Sequence, residues 1–350
     1  MVTKERKEQL KTENTRKSRR QDNKQHCQKI LEGIGKFDNT TAERAIWELL
    51  QNARDLSNHA HVEITLDKDR FIFSHNGKPF DYDTLTSLIK QVSSEEKEDP
   101  NAAGQFGTGF MTTHKFSRKI RINGCMKIDE DEYVEINDFS LDRTDNEIPK
   151  MIDKMADQLG YVDNLYDKPT TQTPRAETSF IYELDDAHFP AAEQGVTAAF
   201  DLMPYVMAFN ERIEKVTISD NKNNRHDIFT KKSSKTLDPD VNLHVLTIET
   251  SDGNDRNLFY LQSKDRKDMI ILPLKSKNEA MDITGVPRLF IFFPLLGTHN
   301  FGFNYIFHSE RFFPEEPRNA IVLPEDNIDK QTKYESDVKV LNDMFQMLFA

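Results

Sequence analysis

Apolar residues recur every three or four positions through "TTAERAIWELLQNARDLSNHA", where Ile46, Leu49, Leu50, Ala53 and Leu56 form one stripe. That period predicts an amphipathic helix, with Thr40 or Thr41 as its N-cap. "HVEITLD" and "RFIFSH" follow as two strands joined by an Asp-Lys-Asp turn. "YDTLTSLIKQV" predicts a short helix, with Asp81 and Asp83 as its cap and first-turn acid. "SSEEKEDPNAAGQFGTG" is polar, glycine-containing and broken by proline, so it reads as a loop. Next come a helix opening at "FMTTHKF", strands at "KIRING" and "EYVEIND", a helix and loop over 145–175, and a strand at "ETSFIYEL". From about residue 200 the pattern changes. A helix at "DLMPYVMAFN" precedes closely spaced strands at "KVTISD", "LHVLTIET", "NLFYLQS", "DMIILPL" and "RLFIFFPL", and the end, "DKQTKYESDVKVLNDMFQMLFA", is helical. The pattern divides into a charged helical arm (1–30), an α/β domain (31–200), a second α/β domain (201–330) and a C-terminal helix (331–350) whose apolar end suggests either further domains beyond it or a docked terminal helix.

Charge refines this picture. The net charge of −12 argues against nucleic acid as the main ligand, because phosphate neutralisation needs a basic face. Basic residues concentrate in the arm, where nine Lys or Arg stand against four acids in the first 25 residues. Such a stretch reads as a solvated helix. Two cysteines, Cys27 and Cys125, make neither a disulfide framework nor a metal cluster and point to a reducing, cytoplasmic setting. No signal peptide opens the chain, and its longest apolar run, "LFIFFPLL" at 289–296, is too short to span a bilayer.

Three stretches carry candidate chemistry. Glu48, Asn52 and Asp55 stand at i, i+4 and i+7, on one helix face opposite the Ile46/Leu50/Ala53 stripe. Such a face is ordinarily just the solvated side. Its identities still matter, since a carboxylate one turn from a carboxamide can orient a water while the amide oxygen holds magnesium. "SHNGKPF" at 74–80 is, taken alone, an Asn-Gly turn. In "GQFGTGF", Gly104, Gly107 and Gly109 disfavour a helix and permit close approach of backbone amides to a ligand. Opening onto a helix, they would form a phosphate site.

In this order, "WELLQNARD", "HNGKPF" and "GQFGTGF" resemble the nucleotide motifs of the GHKL ATPases, the superfamily of DNA gyrase, the ninety-kilodalton heat-shock chaperones, histidine kinases and MutL proteins. "RLFIFFPLL" and "FGFNYIFHSERFFPEEPRNAIVLP" are similar to the domain after the ATPase unit in sacsin-like and NO VEIN-like relatives. The resemblance covers roughly residues 30–325. It implies an α+β fold: a two-layer α/β sandwich of the GHKL (Bergerat) type followed by a smaller α/β transducer-like domain. It also implies ATP and Mg2+ as ligands, lid closure, a homodimer, and protein clients or system partners in quality control or defence.

The resemblance assigns roles residue by residue. Glu48 becomes the general base for the attacking water, Asn52 the magnesium ligand and Asp55 a buttress. Gly104, Gly107 and Gly109 wrap the phosphates, with Gln105 and Thr108 in the same nucleotide-binding loop and Phe106 and Phe110 packing below, where each reads more simply as core, under a lid from Gln91 to Ala103 that carries Lys97. Gly77 keeps the turn, Thr178 closes the pocket, and Arg318 (with Arg311 second) reaches the terminal phosphate. Each arginine alone reads more simply as a surface or loop residue. His75 stands where the superfamily has an Asp that accepts from the adenine amine, and an HNG form occurs among the sacsin-like relatives. A neutral imidazole can accept that bond through its unprotonated nitrogen, so nucleotide affinity is expected to fall as the imidazole protonates. Two other functions compete: a nucleotide-sensing module with little turnover, and a DNA-processing ATPase of the gyrase or MutL kind.

Overall fold

The computed structural model describes residues 3–91, 109–276, 279–315, 318–322 and 328–349. It is a mixed α/β chain that divides into two compact units: Met1–Leu56 with Glu63–Val196, and Ser57–Val62 with Thr197–Ala350.

In the first unit, α1 (Lys4–Ile34) precedes α2 (Thr41–Asp55), β1 (Ala60–Leu66) and β2 (Arg70–His75). Then follow α3 (Tyr82–Lys90), β3 (Lys119–Asp129), β4 (Glu132–Asp142), α4 (Ile148–Asp163) and β5 (Thr178–Glu183). The sheet order is β1-β2-β5-β3-β4, and β5 pairs antiparallel with both β2 and β3. Alternation does the sorting: Ala60, Val62, Ile64 and Leu66 of β1 are buried while the residues between them are more exposed. Asp81 caps α3 in a full capping box with Thr84.

The arm is a continuous helix. Its first two turns are exposed where described, but Asn23, Cys27 and Ile30, again at i, i+4 and i+7, bury one face of its later turns. α1 packs there against α3, α4 and the segment after residue 109.

α5 (Phe189–Phe209) runs from the first unit into the second and contains Pro204. The second unit contains β6 (Ile213–Asp220), β7 (Arg225–Lys231), β8 (Lys235–Asp238), β9 (Leu243–Thr250) and β10 (Arg256–Gln262). It continues with β11 (Asp268–Ile271), β12 (Leu274–Ser276), β13 (Glu279–Ala280), β14 (Leu289–Ile291), β15 (Phe293–Pro294), β16 (Ile306–Ser309) and α6 (Ile328–Phe349). The sheet is mixed, since β14 runs parallel to β16 while β11 pairs antiparallel with both β10 and β16. Its core gathers Ile270, Leu289, Phe307 and Phe312 with Val340 and Met344 of α6. Among the described residues no helix is long and apolar enough to cross a membrane.

Candidate functional site

α2 offers its two faces to different neighbours. Ile46, Leu50 and Ala53 are fully buried, as the stripe requires. The opposite face is half-buried rather than solvated: Glu48, Asn52 and Asp55 are all of intermediate exposure. At Glu48 the neighbour is the segment Gly109–Lys115, which packs against α2. Gly109 lies so close to Glu48 that a Cβ added there would overlap the carboxylate. Two sequence motifs some sixty residues apart therefore meet, through the absence of a side chain at 109. Asp55 is paired with the buried Arg54 at 2.8 Å.

The helix expected from "FMTTHKF" is a 3-10 helix of seven residues. So short a helix, with its poorer hydrogen-bond geometry, supplies little of the aligned dipole expected for a phosphate site. Gly104, Gln105, Phe106, Gly107 and Thr108, together with the lid residues 92–103 including Lys97, lie outside the described residues. Phe110 is buried, its ring 5.5 Å from that of Phe180, so its place is in the core. Gln91, where the lid was expected to begin, is an anchor: it is buried, and its carboxamide nitrogen lies 2.5 Å from His114 Nε2.

At the other end of the site β2 delivers His75 opposite Thr178, the first residue of β5. Both are buried. Gly124 of β3 lies beside Thr178, where a Cβ would come within 3.1 Å of its hydroxyl. That glycine carries a sequence signal that can be read: an isolated Gly inside a strand pattern marks a bulge or a close approach. The β3–β4 register indeed shifts between Ile122 and Gly124. The turn after His75 is tied to the end of α2 by the Lys78 amide, which donates to Leu56 O at 3.0 Å. A Cβ at Gly77 would stand 2.7 Å from His75 Nδ1 and 2.8 Å from Leu56 Cβ, so the turn closes only around glycine.

His75 itself corrects the expectation made for it. The Gly77 amide donates to His75 Nδ1 at 3.0 Å, so the nitrogen meant for an adenine amine already accepts a bond from the backbone. Burial holds the imidazole neutral by lowering its pKa to about 4. The tautomer is therefore fixed with the proton on Nε2. Phe73 and Phe180 flank the ring at centroid distances of 6.1 and 6.2 Å.

Arg311 of the second unit is bound to two acids. Its guanidinium holds the buried Asp268 at 2.5 Å and Asp343 at 3.0 Å, which raises its pKa. That engagement makes it a structural cation. Arg318 has a left-handed backbone, φ 67°, an uncommon conformation for a side-chain-bearing residue.

Among the described residues no group of three or more His, Cys, Asp or Glu forms a metal cage. Magnesium does not require one, since it commonly keeps waters and binds through few protein oxygens plus phosphates. The half-buried carboxamide of Asn52, one turn from Glu48, fits that mode. No protein-family model matches the chain, and no curated protein matches its sequence.

Proposed function

We propose that the first unit binds a nucleoside triphosphate with Mg2+ and hydrolyses it, in the manner of the GHKL-type (Bergerat) two-layer sandwich that its motifs resemble. The observation that carries this is the Glu48–Gly109 contact, because it joins the helix motif to the end of the glycine motif. His75 and Thr178 add a second pair of expected site residues as register neighbours.

The chemistry assigned to these residues is as follows. Glu48 accepts a proton from the water that attacks the terminal phosphorus. The new P–O bond forms as the bridging P–O bond breaks, the nucleoside diphosphate departs, and the proton passes from the carboxyl to solvent. Asn52 would hold the magnesium, which when bound offsets phosphate charge. Packing against Gly109 restricts the Glu48 carboxylate, and positioning of this kind is where much of the rate in phosphoryl transfer comes from. Arg318 is the candidate contact to the terminal phosphate. Nucleotide binding and hydrolysis would drive conformational change or dimerisation in a chaperone-like or defence-associated assembly.

Steady-state hydrolysis of ATP with magnesium, in wild type and Glu48→Ala, tests the assignment. Loss of turnover with retained nucleotide binding is expected. Equal and negligible turnover in both proteins would leave a nucleotide sensor instead, and absence of binding would remove the site.

A further inference from the structure

Granting the nucleotide site proposed above, on which this inference rests, we propose that its base-facing group at position 75 is a hydrogen-bond donor, so that the site prefers a 6-oxopurine, such as hypoxanthine or guanine, to adenine.

The polarity follows from a single backbone bond. Nδ1 of His75 accepts from the Gly77 amide, and a neutral imidazole that accepts at one nitrogen carries its proton on the other. Nε2 is thus an N–H donor, and among the described residues no group accepts from it. The ring cannot easily turn over to exchange the two nitrogens. Such a flip would leave the Gly77 amide without its acceptor, and the turn is held close by Gly77 against Leu56 and by the Lys78–Leu56 hydrogen bond. Protonation is opposed by burial, since the side chain is 3% exposed.

An N–H that loses its water to a bound base costs free energy until it meets an acceptor there. At carbon 6 of a purine the choices are opposite in sign. Adenine presents an amine there, which would face Nε2–H donor to donor. Guanine and hypoxanthine present a carbonyl oxygen, which accepts. The neighbouring Thr178 hydroxyl does not decide the matter, because a hydroxyl can donate to an unprotonated ring nitrogen or accept from a protonated one. An aspartate at position 75 could also take the Gly77 amide in an Asx-type turn, but it would turn acceptor oxygens toward the base. The exchange of carboxylate for imidazole therefore inverts the base code while preserving the turn.

Calorimetric titration of the full chain with Mg·ITP and Mg·ATP tests this, because the two bases differ only at carbon 6 and the adjoining ring nitrogen. ITP is expected to bind about tenfold more tightly, or better. His75→Asp should reverse the order. His75→Asn can accept from Gly77 through its oxygen and donate through its nitrogen, so it should keep the ITP preference. ATP binding as tightly as ITP in wild type, or an ATP preference in His75→Asn, would overturn the donor assignment while leaving the nucleotide site in place. Failure of both triphosphates to bind would overturn the nucleotide site and this inference together.

Discussion

A methyl group at position 109 would fall on the Glu48 carboxylate, so Gly109→Ala must displace the side chain proposed as general base. Misplacing a reacting group by about 1 Å can cost on the order of a hundredfold in rate. Gly109→Ala is therefore expected to lower kcat by about that factor with nucleotide affinity little changed; an unaltered kcat would show that Glu48 does not act from this position. Two buried histidines lower stability in acid, partly offset by Asp337, whose carboxyl is pushed up to about 6 by burial and so gains stability as it protonates. His75 and His114 are held neutral by burial, with pKa values lowered from 6.5 to about 4 and about 3. Below pH 6.5 the unfolded chain binds protons that the folded chain refuses. Stability is thus full above that pH and falls as pH drops toward 4, by about 1.4 kcal/mol per unit for each histidine. Urea midpoints measured from pH 7 to 5 should decline accordingly, and His75→Asn should remove one proton from that slope. Nucleotide affinity, by contrast, should not follow the titration of an ordinary imidazole near pH 6.5. The expectation that it would rested on a free acceptor nitrogen, and sequence does not display the Gly77 bond that occupies it.

At the level of elements, legibility followed periodicity. α2, β1, β2 and α3 carry clean three-to-four or alternating patterns, with a capping acid at Asp81, and they lie where those patterns put them. α5 starts at Phe189, well before the expected "DLMPYVMAFN", because the buried face of its first half is built largely from small residues, Ala192 and Ala199 beside Val196, which make a faint apolar signal. There the small residue Gly195 permits close packing, its missing Cβ leaving room for Ile46, the Ala42 carbonyl and Phe116. The half-burial of Glu48, Asn52 and Asp55 was equally hidden, since a polar helix face looks the same in sequence whether it meets water or another polar segment. α1 divides in function along its length. Its arginine pairing, Arg20 with Asp153 at 2.6 Å, is exposed and contributes little. Ile30 is fully buried, and Ile30→Ala should cost about 2–5 kcal/mol in chemical denaturation. A loss below about 1 kcal/mol would mean that the helix is not docked through this face.

For the molecule as a whole, the two units make separate claims on their charged residues. In the second unit Asp268 accepts from Ser309 and is paired with Arg311, so Arg311→Ala leaves a buried carboxylate uncompensated. That substitution should lower thermal stability strongly. Arg318→Ala should slow hydrolysis, by about a hundredfold or more if it meets the terminal phosphate. The reverse pattern would exchange their roles. The central claim is that a carboxylate on α2, pressed against Gly109, activates water for cleavage of a nucleoside triphosphate. Glu48→Gln tests it most directly, because the amide keeps the side chain's shape against Gly109 and removes only its basicity. In single-turnover hydrolysis with magnesium and the tightest-binding triphosphate, the rate should fall by about a hundredfold to ten-thousandfold while the dissociation constant stays within a few fold. A Glu48→Gln protein that cleaves its bound nucleotide at the wild-type rate would contradict the account.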